Sequence, residues 1–575
     1  MKEYQQEQGT IGTQYDVAIL GGGLAGLTLA LQIKKTRPET SILVVEKQKH
    51  PVPEAAHKVG ESTVEIGGYY LRDILDLDEH LQTQQLPKFG LRFFFSADDN
   101  QDITQRVELG HAIPPPLRVE TYQLDRGRLE NALGCKLLEQ GIAFLDGCKV
   151  QQIDLQPQSD THRVRILSEG NERTIQARWV VDASGRSSLL KRQLGLAKKV
   201  DHAANAAWFR VGYPIDINKW STDPTWQARI IEGERSLSTN HLMGPGYWVW
   251  LIPLSSGSIS IGIVTDANMH PFEGINRFER AMDWLHAHEP QCAQVIEQHR
   301  DKIQDFRVMK DYCYASEQVY SDERWCLTGE AGVFLDPFYS PGSDLIAISN
   351  GLVCDLVTRE LAGEDIEERA AIHNRLLLML NDSWRGTYEQ QYPLMGNAQI
   401  MIAKVIWDTA IYWAVPGLLY FHNKYLSFGD SPAIAINLLR FSILSEHVQT
   451  FLRTWYEMDQ PAAPATFIRY YDFDFMAKLH IGMTAELPDA EFDAQFAANV
   501  HFVERLAGQL VSTVIEAYAE RTEDKAIQSQ IQCWQADQFL AELIDVYQKE
   551  KETNPIDSSW ITLGHQSREK QEVAR

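Results

Sequence analysis

A glycine-rich turn near the start of the chain constrains the fold more than any other feature of the sequence. Residues 15–20 (YDVAIL) form an apolar run typical of a buried parallel strand, and residues 21–26 (GGGLAG) follow it directly. A helical stretch and a second apolar run, residues 41–45 (SILVV), come next, and this run ends at Glu46, 20 residues beyond Gly26. A strand, a G-x-G-x-x-G turn, a helix and a second strand ending in an acid together predict a dinucleotide-binding β-α-β unit.

The residues of this turn have separate physical roles. Gly21 makes the tight turn, Gly23 lets the backbone approach a pyrophosphate, and Gly26 allows the helix to pack closely on the strand. The helix N-terminus offers N–H groups to the anion, and Glu46 would accept hydrogen bonds from the adenosine ribose, with Lys47 beside it in the predicted cofactor site. The motif alone does not choose between FAD and NAD.

The charge and cysteine content narrow the class of protein. Lysine and arginine number 54 against 78 acidic residues, a formal net charge of −24, which argues against nucleic-acid partners and against binding anionic lipid by charge alone. The seven cysteines include no C-x-x-C pair, so we expect neither a disulfide framework nor a metal site of the cysteine type. A reducing cytoplasm fits this pattern best.

Neither the N-terminal residues nor the most apolar run predicts membrane insertion. Residues 1–10 (MKEYQQEQGT) are polar and lack the apolar core of a signal peptide. The apolar run at residues 400–421 contains Lys404, Asp408 and Pro416, so it falls short of a clean membrane span. We expect it to be a buried helix or an apolar wall of a substrate pocket.

Later strand-end patches choose between the two dinucleotides. Residues 179–186 (WVVDASGR) and 325–331 (WCLTGEA) each read as a strand followed by a small-residue turn. Patches of this kind, far apart after an N-terminal β-α-β unit, resemble the FAD domain of the flavin monooxygenase and halogenase superfamily. The resemblance implies FAD as cofactor, with Glu330 in place of the family's usual aspartate. Residues 123–128 (QLDRGR) resemble the segment near the flavin diphosphate, where Arg126 would pair with phosphate.

Three further patterns, in order along the chain, resemble the flavin-dependent halogenases, above all the branch acting on pyrroles and phenols. Residues 87–90 (PKFG) follow residues 57–62 (HKVGES) by a helical segment and resemble the stretch that carries the active-site lysine. Residues 248–253 (WVWLIP) form a W-x-W-x-I-P motif, and residues 334–342 (FLDPFYSPG) an F-x-x-P-x-x-S-x-G pattern. The resemblance covers roughly residues 15–350.

The resemblance implies a division of labour between a lysine and two tryptophans. In that family a halide is oxidised to hypohalous acid with reduced flavin and O2. Trp248 and Trp250 would then keep the substrate from the flavin, and Lys88 would deliver the halogen to an aromatic carbon. A lysine suits this role because its amine titrates readily once it is desolvated. Whether Lys88 acts as a chloramine or as a protonated donor is left open, and plain core packing is the alternative for the tryptophans.

The turn after Pro337 is the predicted halide site. Pro337 and Gly342 are expected to contact the flavin, and the N–H groups of Gly342 and Ser343 are the candidate halide donors. Pro341 departs from the family pattern and removes one donor. The tryptophan-specific halogenases have a glutamate where this chain has Tyr339, which argues against free tryptophan as substrate.

The sequence therefore predicts an α/β fold: a Rossmann-type FAD-binding domain, a β-sheet substrate region and a helical C-terminal region. We expect a flexible N-terminus at residues 1–14 and the FAD domain at residues 15–350, with the sheet inserted at about 90–125 and 200–315. Helices that cap the substrate pocket are expected at residues 351–551, and a flexible tail at residues 552–575.

The predicted activity is that of an FAD-dependent halogenase supplied with FADH2 by a separate flavin reductase. It would use chloride or bromide and a small electron-rich aromatic substrate, a phenol or pyrrole, free or bound to a carrier protein. Pro341 and Glu330 keep open a flavin monooxygenase or oxidase on the same scaffold. A flavin-binding partner protein without turnover is the third possibility.

Overall fold

The computed structural model describes residues 12–54, 58–97, 99–110, 113, 117–230, 234–458, 466–519 and 524–562. His57 and the outer parts of the two predicted flexible termini, residues 1–11 and 563–575, lie outside the described residues. Within the described part, Gln14 already begins the first strand.

The first sheet is built around the predicted β-α-β unit. Its eight strands are Gln14–Leu20, Ile42–Val45, Ala143–Leu145, Cys148–Asp154, His162–Ser168, Asn171–Asp182, Tyr320–Ser321 and Trp325–Leu327. The first strand lies in the middle and pairs in parallel with Ile42–Val45 on one side and Asn171–Asp182 on the other. Because Leu20 is in register with both Val45 and Asp182, the glycine turn and the D-A-S-G-R patch meet at one sheet edge. Ligands of open α/β sheets bind at this carboxyl edge.

A second eight-stranded sheet, largely antiparallel, covers the region between the patches. In spatial order its strands are Arg307–Met309, Ala204–Val211, Ile259–Asp266, Tyr247–Pro253, Thr239–Gly244, Leu91–Phe95, Glu108–Gly110 and Phe467–Arg469. The last strand comes from the region predicted to be helical and pairs with Glu108–Gly110. Thr121–Gln123, by contrast, lies outside this sheet and pairs with Leu86–Lys88 in a separate two-stranded sheet. Strands of three residues are too short for alternation of apolar residues to reveal them.

Helices surround the two sheets and dominate the chain beyond Glu367. They are Leu24–Thr36, Glu65–Tyr69, Asp78–Gln84, Arg126–Glu139, Leu189–Gln193, Pro224–Gln227, Phe278–His288, Pro290–Glu297, Gly342–Leu361, Glu367–Gly386, Ala398–Tyr412, Leu418–Phe421, Pro432–Met458, Asp474–Thr484, Asp489–Ala519, Lys525–Ala536, Gln538–Glu550 and Ser559–Thr562. The fold is thus of the mixed α/β class predicted from the sequence.

The most apolar helix lies in the protein core. Among the described residues, Ala398–Phe421 is the one helix long and apolar enough to cross a membrane by length and composition. In the structure 89% of its most apolar window is buried against the rest of the protein, as in the core helix of a globular domain. A π-helical turn, Trp413–Gly417, interrupts it around Pro416 because proline removes a helix hydrogen bond. All seven cysteines are free thiols.

Candidate active site

Three adjoining cavities extend from the carboxyl edge of the first sheet to the C-terminal helices. The dinucleotide cavity is lined by the glycine turn, the end of the second strand and the D-A-S-G-R patch. The ring cavity is lined by Trp248, Trp250 and the turn that includes Pro337. The lysine cavity is lined by Lys88 together with side chains of the C-terminal helices. Pro341 lines both the ring cavity and the lysine cavity, so the two meet at this residue.

The glycine turn has the shape that a pyrophosphate needs. Gly21 has a φ of +127°, and a Cβ atom there would lie 2.2 Å from the carbonyl oxygen of Ala183. A Cβ atom on Gly26 would lie 2.0 Å from the carbonyl oxygen of Gly21, so only glycine lets helix and turn pack this closely. Gly23, in contrast, has open space where its Cβ would point, and it lines the dinucleotide cavity. The cradle therefore leaves room for phosphates against bare backbone.

The predicted adenosine contacts lie at the same cavity. Glu46 lines it, and its carboxylate is oriented by hydrogen bonds from the backbone N–H groups of Gly22 (2.6 Å) and Gln48 (2.8 Å). Lys47 is exposed at the rim, where its Nζ donates to Ser187 Oγ at 3.4 Å. Glu46 thus has a fixed position from which it would accept bonds from a ribose.

The structure places Arg126 differently from the simple expectation of a phosphate ligand. Its guanidinium is buried, pairs with Glu130 at 2.7 Å and donates to the carbonyl of Val59 at 2.7 Å. Lys58 binds the same carboxylate, and despite burial the two cations hold the pKa of Glu130 below its usual value. Arg126 Nε, however, is buried without a hydrogen-bond partner among the described residues, and the residue lines both the dinucleotide and ring cavities. Glu130 therefore partly neutralises the Arg126 guanidinium, while the Nε–H group remains available to a ligand.

Glu330 lies where the first two cavities join. It lines both of them, and burial raises the pKa of its carboxyl, an effect opposed by Arg126, Arg186 and Lys58. Although Glu330 replaces the family's usual aspartate, its carboxylate still lines the dinucleotide and ring cavities.

The two tryptophans lie side by side on the wall of the ring cavity. They alternate on the strand Tyr247–Pro253, so they point to one face, and their ring centroids are 5.7 Å apart. A Cβ atom on Gly262 of the neighbouring strand would lie 2.1 Å from the Trp250 indole, so this glycine makes room for it. Trp248 Nε1 donates to the hydroxyl of Tyr392 at 3.1 Å.

A buried hydrogen-bond cluster supports Trp248 from behind. The hydroxyl of Tyr392 donates to Asp336 Oδ2 (2.6 Å), which also accepts from Tyr312 (3.1 Å) and His202 (2.8 Å). His202, Asp336 and Cys313 are close enough to hold a metal ion, but Asp336 Oδ2 already has three donors in this arrangement. The cluster therefore serves as a support that joins Trp248 to the turn beginning at Asp336.

That turn has a strained backbone. Tyr339 and Ser340 have φ values of 69° and 62°, a left-handed conformation that costs about 1–3 kcal/mol for each non-glycine residue. The helix Gly342–Leu361 begins directly afterwards, and the N–H groups of a first helical turn have no partner within the helix. Ser343 Oγ is buried without a hydrogen-bond partner among the described residues and lines the ring cavity. The turn thus presents unpaired donors to the ring cavity, with Pro341 unable to add another.

Lys88 is buried in the lysine cavity and does not face bulk water. It is 1% exposed, and its Nζ donates to the carbonyl oxygen of Thr63 at 2.6 Å. Burial lowers its pKa to about 7, although Glu65 and Asp344 favour the charged form. The tryptophans and the lysine therefore line different cavities, which adjoin at Pro341.

The sequence analysis missed two buried carboxylates in the lysine cavity. Glu65 Oε1 accepts a hydrogen bond from Trp413 Nε1 at 3.0 Å. Asp344 accepts from the backbone N–H of Gly67 (2.8 Å) and from the hydroxyl of Tyr412 (2.7 Å). Glu65 follows the H-K-V-G-E-S segment by three residues, and Asp344 follows Gly342 by two. Their short distance in sequence from these two motifs was the signal that could have identified them.

A third carboxylate reaches the cavity from the C-terminal helices. Asp408 Oδ2 accepts from the hydroxyl of Tyr339 at 2.9 Å, and Asp408 pairs with the buried Lys404, also at 2.9 Å. Tyr339 stands where the tryptophan-specific halogenases have a glutamate. The structure places an acid at the end of this tyrosine instead.

Comparisons with known proteins agree with the geometry of the cavities. The FAD binding domain family model matches residues 14–313, which is 300 of 575 residues. The flavin-dependent halogenase chlA of Dictyostelium discoideum is 27% identical over 433 residues, covering 70% of each chain. The 1H-pyrrole-2-carbonyl-[peptidyl-carrier protein] brominase of Pseudoalteromonas luteoviolacea is 27% identical over 362 residues, which is 61% of this chain and 79% of that enzyme.

A solved structure extends the likeness to the C-terminal helices. The crystal structure of the halogenase PltM matches with a TM-score of 0.61 at 18% identity, covering 93% of this chain and 96% of that one. At this identity the likeness concerns the fold alone, and it includes the region beyond residue 350 in which the sequence offered no motif. The glycine cradle, the acid that ends the second strand and the unpaired donors of the ring cavity fit FAD as cofactor. The chain therefore belongs to the FAD binding domain family and is an FAD-dependent oxidoreductase similar to flavin-dependent halogenases.

Proposed function

We propose that this protein halogenates a small electron-rich aromatic compound and that Lys88 transfers the halogen. Chloride or bromide would be oxidised in the ring cavity, and the resulting hypohalous acid would pass to the lysine cavity beside Pro341. The observation that carries the proposal is the position of Lys88: buried, with a pKa lowered to about 7, in a cavity that adjoins the ring cavity but is separate from it.

The cofactor would be held by residues already in place. The turn shaped by Gly21 and Gly26 would bring the backbone at Gly23 against the pyrophosphate. Glu46 would bind the ribose, and Glu330 the chain between phosphates and ring. Bound as FADH2 delivered by a separate reductase, FAD would supply two of the four electrons that reduce O2, and the halide would supply the other two. The protein's part is to orient the cofactor and to keep water and substrate away from it.

The halide would bind at the start of the helix Gly342–Leu361. The N–H groups of Gly342 and Ser343 belong to its first turn, where backbone donors and the helix dipole favour an anion. Ser343 Oγ, buried and without a partner among the described residues, adds a side-chain donor at the same cavity. These groups compensate for the N–H that Pro341 lacks.

Lys88 would hold the hypohalous acid next to the substrate. With a pKa near neutrality, the amine is available at pH 7 both as a protonated hydrogen-bond donor and as a neutral nucleophile. The indoles of Trp248 and Trp250 form an apolar wall of the ring cavity, which supports their role in keeping an aromatic substrate from the flavin.

The substrate would be a phenol or pyrrole, either free or attached to a carrier protein. Aromatic side chains from the C-terminal region, including Trp384, Tyr388 and Trp413, line the lysine cavity and suit a flat ring. We accordingly assign the FAD domain to residues 15–350 and a capping role to residues 351–551. The seven free thiols are in keeping with a reducing cytoplasm.

The test is a halogenation assay with purified protein, FAD, a flavin reductase with NADH, O2 and sodium bromide or chloride. Candidate acceptors are free phenols, free pyrroles and a carrier-bound pyrrole-2-carbonyl group, and products are identified by mass. Lys88→Ala is expected to lower halogenated product by at least about 10²-fold, the usual contribution of a group acting in proton or group transfer. Lys302→Ala, at a surface lysine of 53% side-chain exposure, is the matched control.

Unchanged product formation in the Lys88→Ala variant would remove Lys88 from the mechanism. The competing activity, direct oxygenation of the substrate, is favoured by Pro341 because it removes an N–H group from the halide turn. Incorporation of oxygen-18 from O2 into product without any requirement for halide would establish that activity instead.

A further inference from the structure

The lysine cavity holds more acidic groups than Lys88 needs for charge balance. Glu65, on the helix Glu65–Tyr69, and Asp344, in the first turn of the helix Gly342–Leu361, both line it. Both carboxyl groups are buried, at 7% and 0% exposure, and Arg118 is a second cation on the cavity wall. Burial raises the pKa of both carboxyl groups, which brings their titration closer to neutral pH.

Asp344 lies next to the passage between the two cavities. Ser343 lines the ring cavity and Asp344 the lysine cavity, so one helical turn presents consecutive side chains to both. Its oxygens accept from Gly67 N (2.8 Å) and Tyr412 Oη (2.7 Å), which fix its orientation while each oxygen keeps capacity for a further bond. A ring placed beside Asp344 is within the space that Lys88 also lines.

We propose that Asp344 binds and deprotonates a ring hydroxyl, so that the substrate is a phenol that reacts as its phenolate. This inference rests on the proposed function and names the substrate class for the same site. The O–H bond of the phenol breaks, its electron pair stays on the phenol oxygen, and the proton forms an O–H bond with a carboxylate oxygen of Asp344. No oxidant or reductant takes part in this step.

The electrostatics of the cavity suit a base that works near neutral pH. Burial and the neighbouring Glu65 raise the pKa of Asp344, while the hydrogen bonds from Tyr412 and Gly67 and the charge of Lys88 oppose this, and the pKa is about 7. The ionisable groups that act on or respond to Asp344 come from four further elements and two turns: Glu65, Lys88, Tyr412 and Tyr420 from the elements, and Tyr388 and Tyr425 from the turns. A general base is most effective when its pKa lies close to the working pH.

The experiment compares two rings of similar electron density that differ in the O–H group. Phloroglucinol carries three ring hydroxyls, and 1,3,5-trimethoxybenzene is its methylated counterpart, which also captures hypobromous acid that escapes into solution. Holoenzyme is supplied with a flavin reductase, NADH, O2 and sodium bromide, and both products are quantified between pH 5.5 and 9, a window of roughly two pH units on each side of the Asp344 pKa. Asp344→Asn is expected to lower the ratio of phloroglucinol to trimethoxybenzene bromination by about 10²-fold at pH 7.

The pH profile separates a base from a structural residue. In the wild type the rate with phloroglucinol should fall as the pH drops below about 7, because Asp344 must be ionised to accept the proton. In Asp344→Asn that limb should move to the pKa of the phenol itself. Tyr412→Phe removes a hydrogen bond that lowers the pKa of Asp344, so its limb should move to higher pH. This second variant keeps the test decisive if Asp344→Asn does not fold.

The outcomes distinguish this inference from the proposed function. If neither these two rings nor the pyrrole acceptors are brominated in a bromide-dependent way, the proposed function itself fails. If both rings are brominated but neither the ratio nor the acid limb moves in the two variants, Asp344 is not the base. Bromination of pyrrole-2-carboxylate but not of phloroglucinol would also overturn the assignment. Asp545→Asn is the control for removal of a negative charge. This carboxylate is 60% exposed on the helix Gln538–Glu550 and lines none of the three cavities.

Discussion

Two glycines of the turn allow FAD binding and protein stability to be tested separately. Gly26 is required for packing, whereas Gly23 leaves space for the cofactor. At Gly26 an added methyl group would lie 2.0 Å from a backbone oxygen, well inside van der Waals contact. Overpacking typically costs about 1–3 kcal/mol, and a backbone neighbour puts this site at the upper end. Alanine regains about 1 kcal/mol of helix propensity, so the net loss in Gly26→Ala is about 2 kcal/mol.

At Gly23 the methyl group meets no atom within 4 Å but points into open space at a residue lining the dinucleotide cavity. The backbone φ of −84° is ordinary for alanine, so folding should be unaffected. The methyl group would keep a phosphate from the backbone, and loss of one hydrogen bond to a charged group costs about 1.5–3 kcal/mol. The Kd for FAD should therefore rise roughly 10- to 150-fold.

The assay pairs a thermal midpoint without added FAD and a titration with FAD followed by flavin fluorescence. Gly26→Ala should lower the midpoint by roughly 3 °C, because about 2.1 cal/mol/K per residue over about 300 residues gives about 1.6 °C per kcal/mol. Gly23→Ala should keep the wild-type midpoint and lose affinity. The reasoning is refuted if Gly26→Ala has an unchanged midpoint or if Gly23→Ala unfolds at a markedly lower temperature.

Two further predictions concern buried charges away from the cavities. Glu108 is fully buried between Arg92 and Arg235. Glu108→Gln should lower the free energy of unfolding by about 3–5 kcal/mol, because it leaves a buried guanidinium charge uncompensated. A change below about 1 kcal/mol in denaturant unfolding would contradict this. Burial alone would raise the pKa of Asp355, but hydrogen bonds from His373 and two arginines hold it well below the usual range. Its stabilisation is therefore present above about pH 4 and is lost as the pH falls, so the difference in thermal midpoint between wild type and Asp355→Asn should shrink on acidification and not grow.

The sequence was most informative where the structure depends on short-range order. The β-α-β unit could be predicted because a tight turn, a packing glycine and an acid at a fixed distance are all set within about 30 residues. The sequence predicts a helix at residues 27–35 (LTLALQIKK), but the helix begins three residues earlier, at Leu24, because the end of the glycine turn forms its first turn. The strand Phe467–Arg469 could not be predicted, because its place in the second sheet depends on pairing with Glu108–Gly110, far away in the chain.

The candidate site divides in the same way. The role of Lys88 was predicted from the resemblance to the halogenases, because nothing in the local sequence P-K-F-G indicates that this lysine is buried. Glu65 and Asp344 meet only because the helices Glu65–Tyr69 and Gly342–Leu361 pack closely at Gly67, where a Cβ atom would lie 2.3 Å from Ser343 Oγ. Arg126 shows the opposite limit: the residue was identified as a charge near the cofactor, but its internal partner Glu130 is one helical turn away and was not considered.

The position of Pro341 on the wall of two cavities has a consequence for how such enzymes diversify. The dinucleotide and ring cavities are lined by residues up to Ile346, whereas more than half of the lining of the lysine cavity comes from residues 383–470. Mutations among residues 383–470 can therefore change the shape of the lysine cavity, and with it the acceptor that fits. The dinucleotide and ring cavities stay unchanged. Pro341 lines two cavities, so a change in the turn from Tyr339 to Gly342 can alter the ring cavity and the lysine cavity together. A library that varies the C-terminal walls and holds this turn constant is the natural starting point for changing the acceptor.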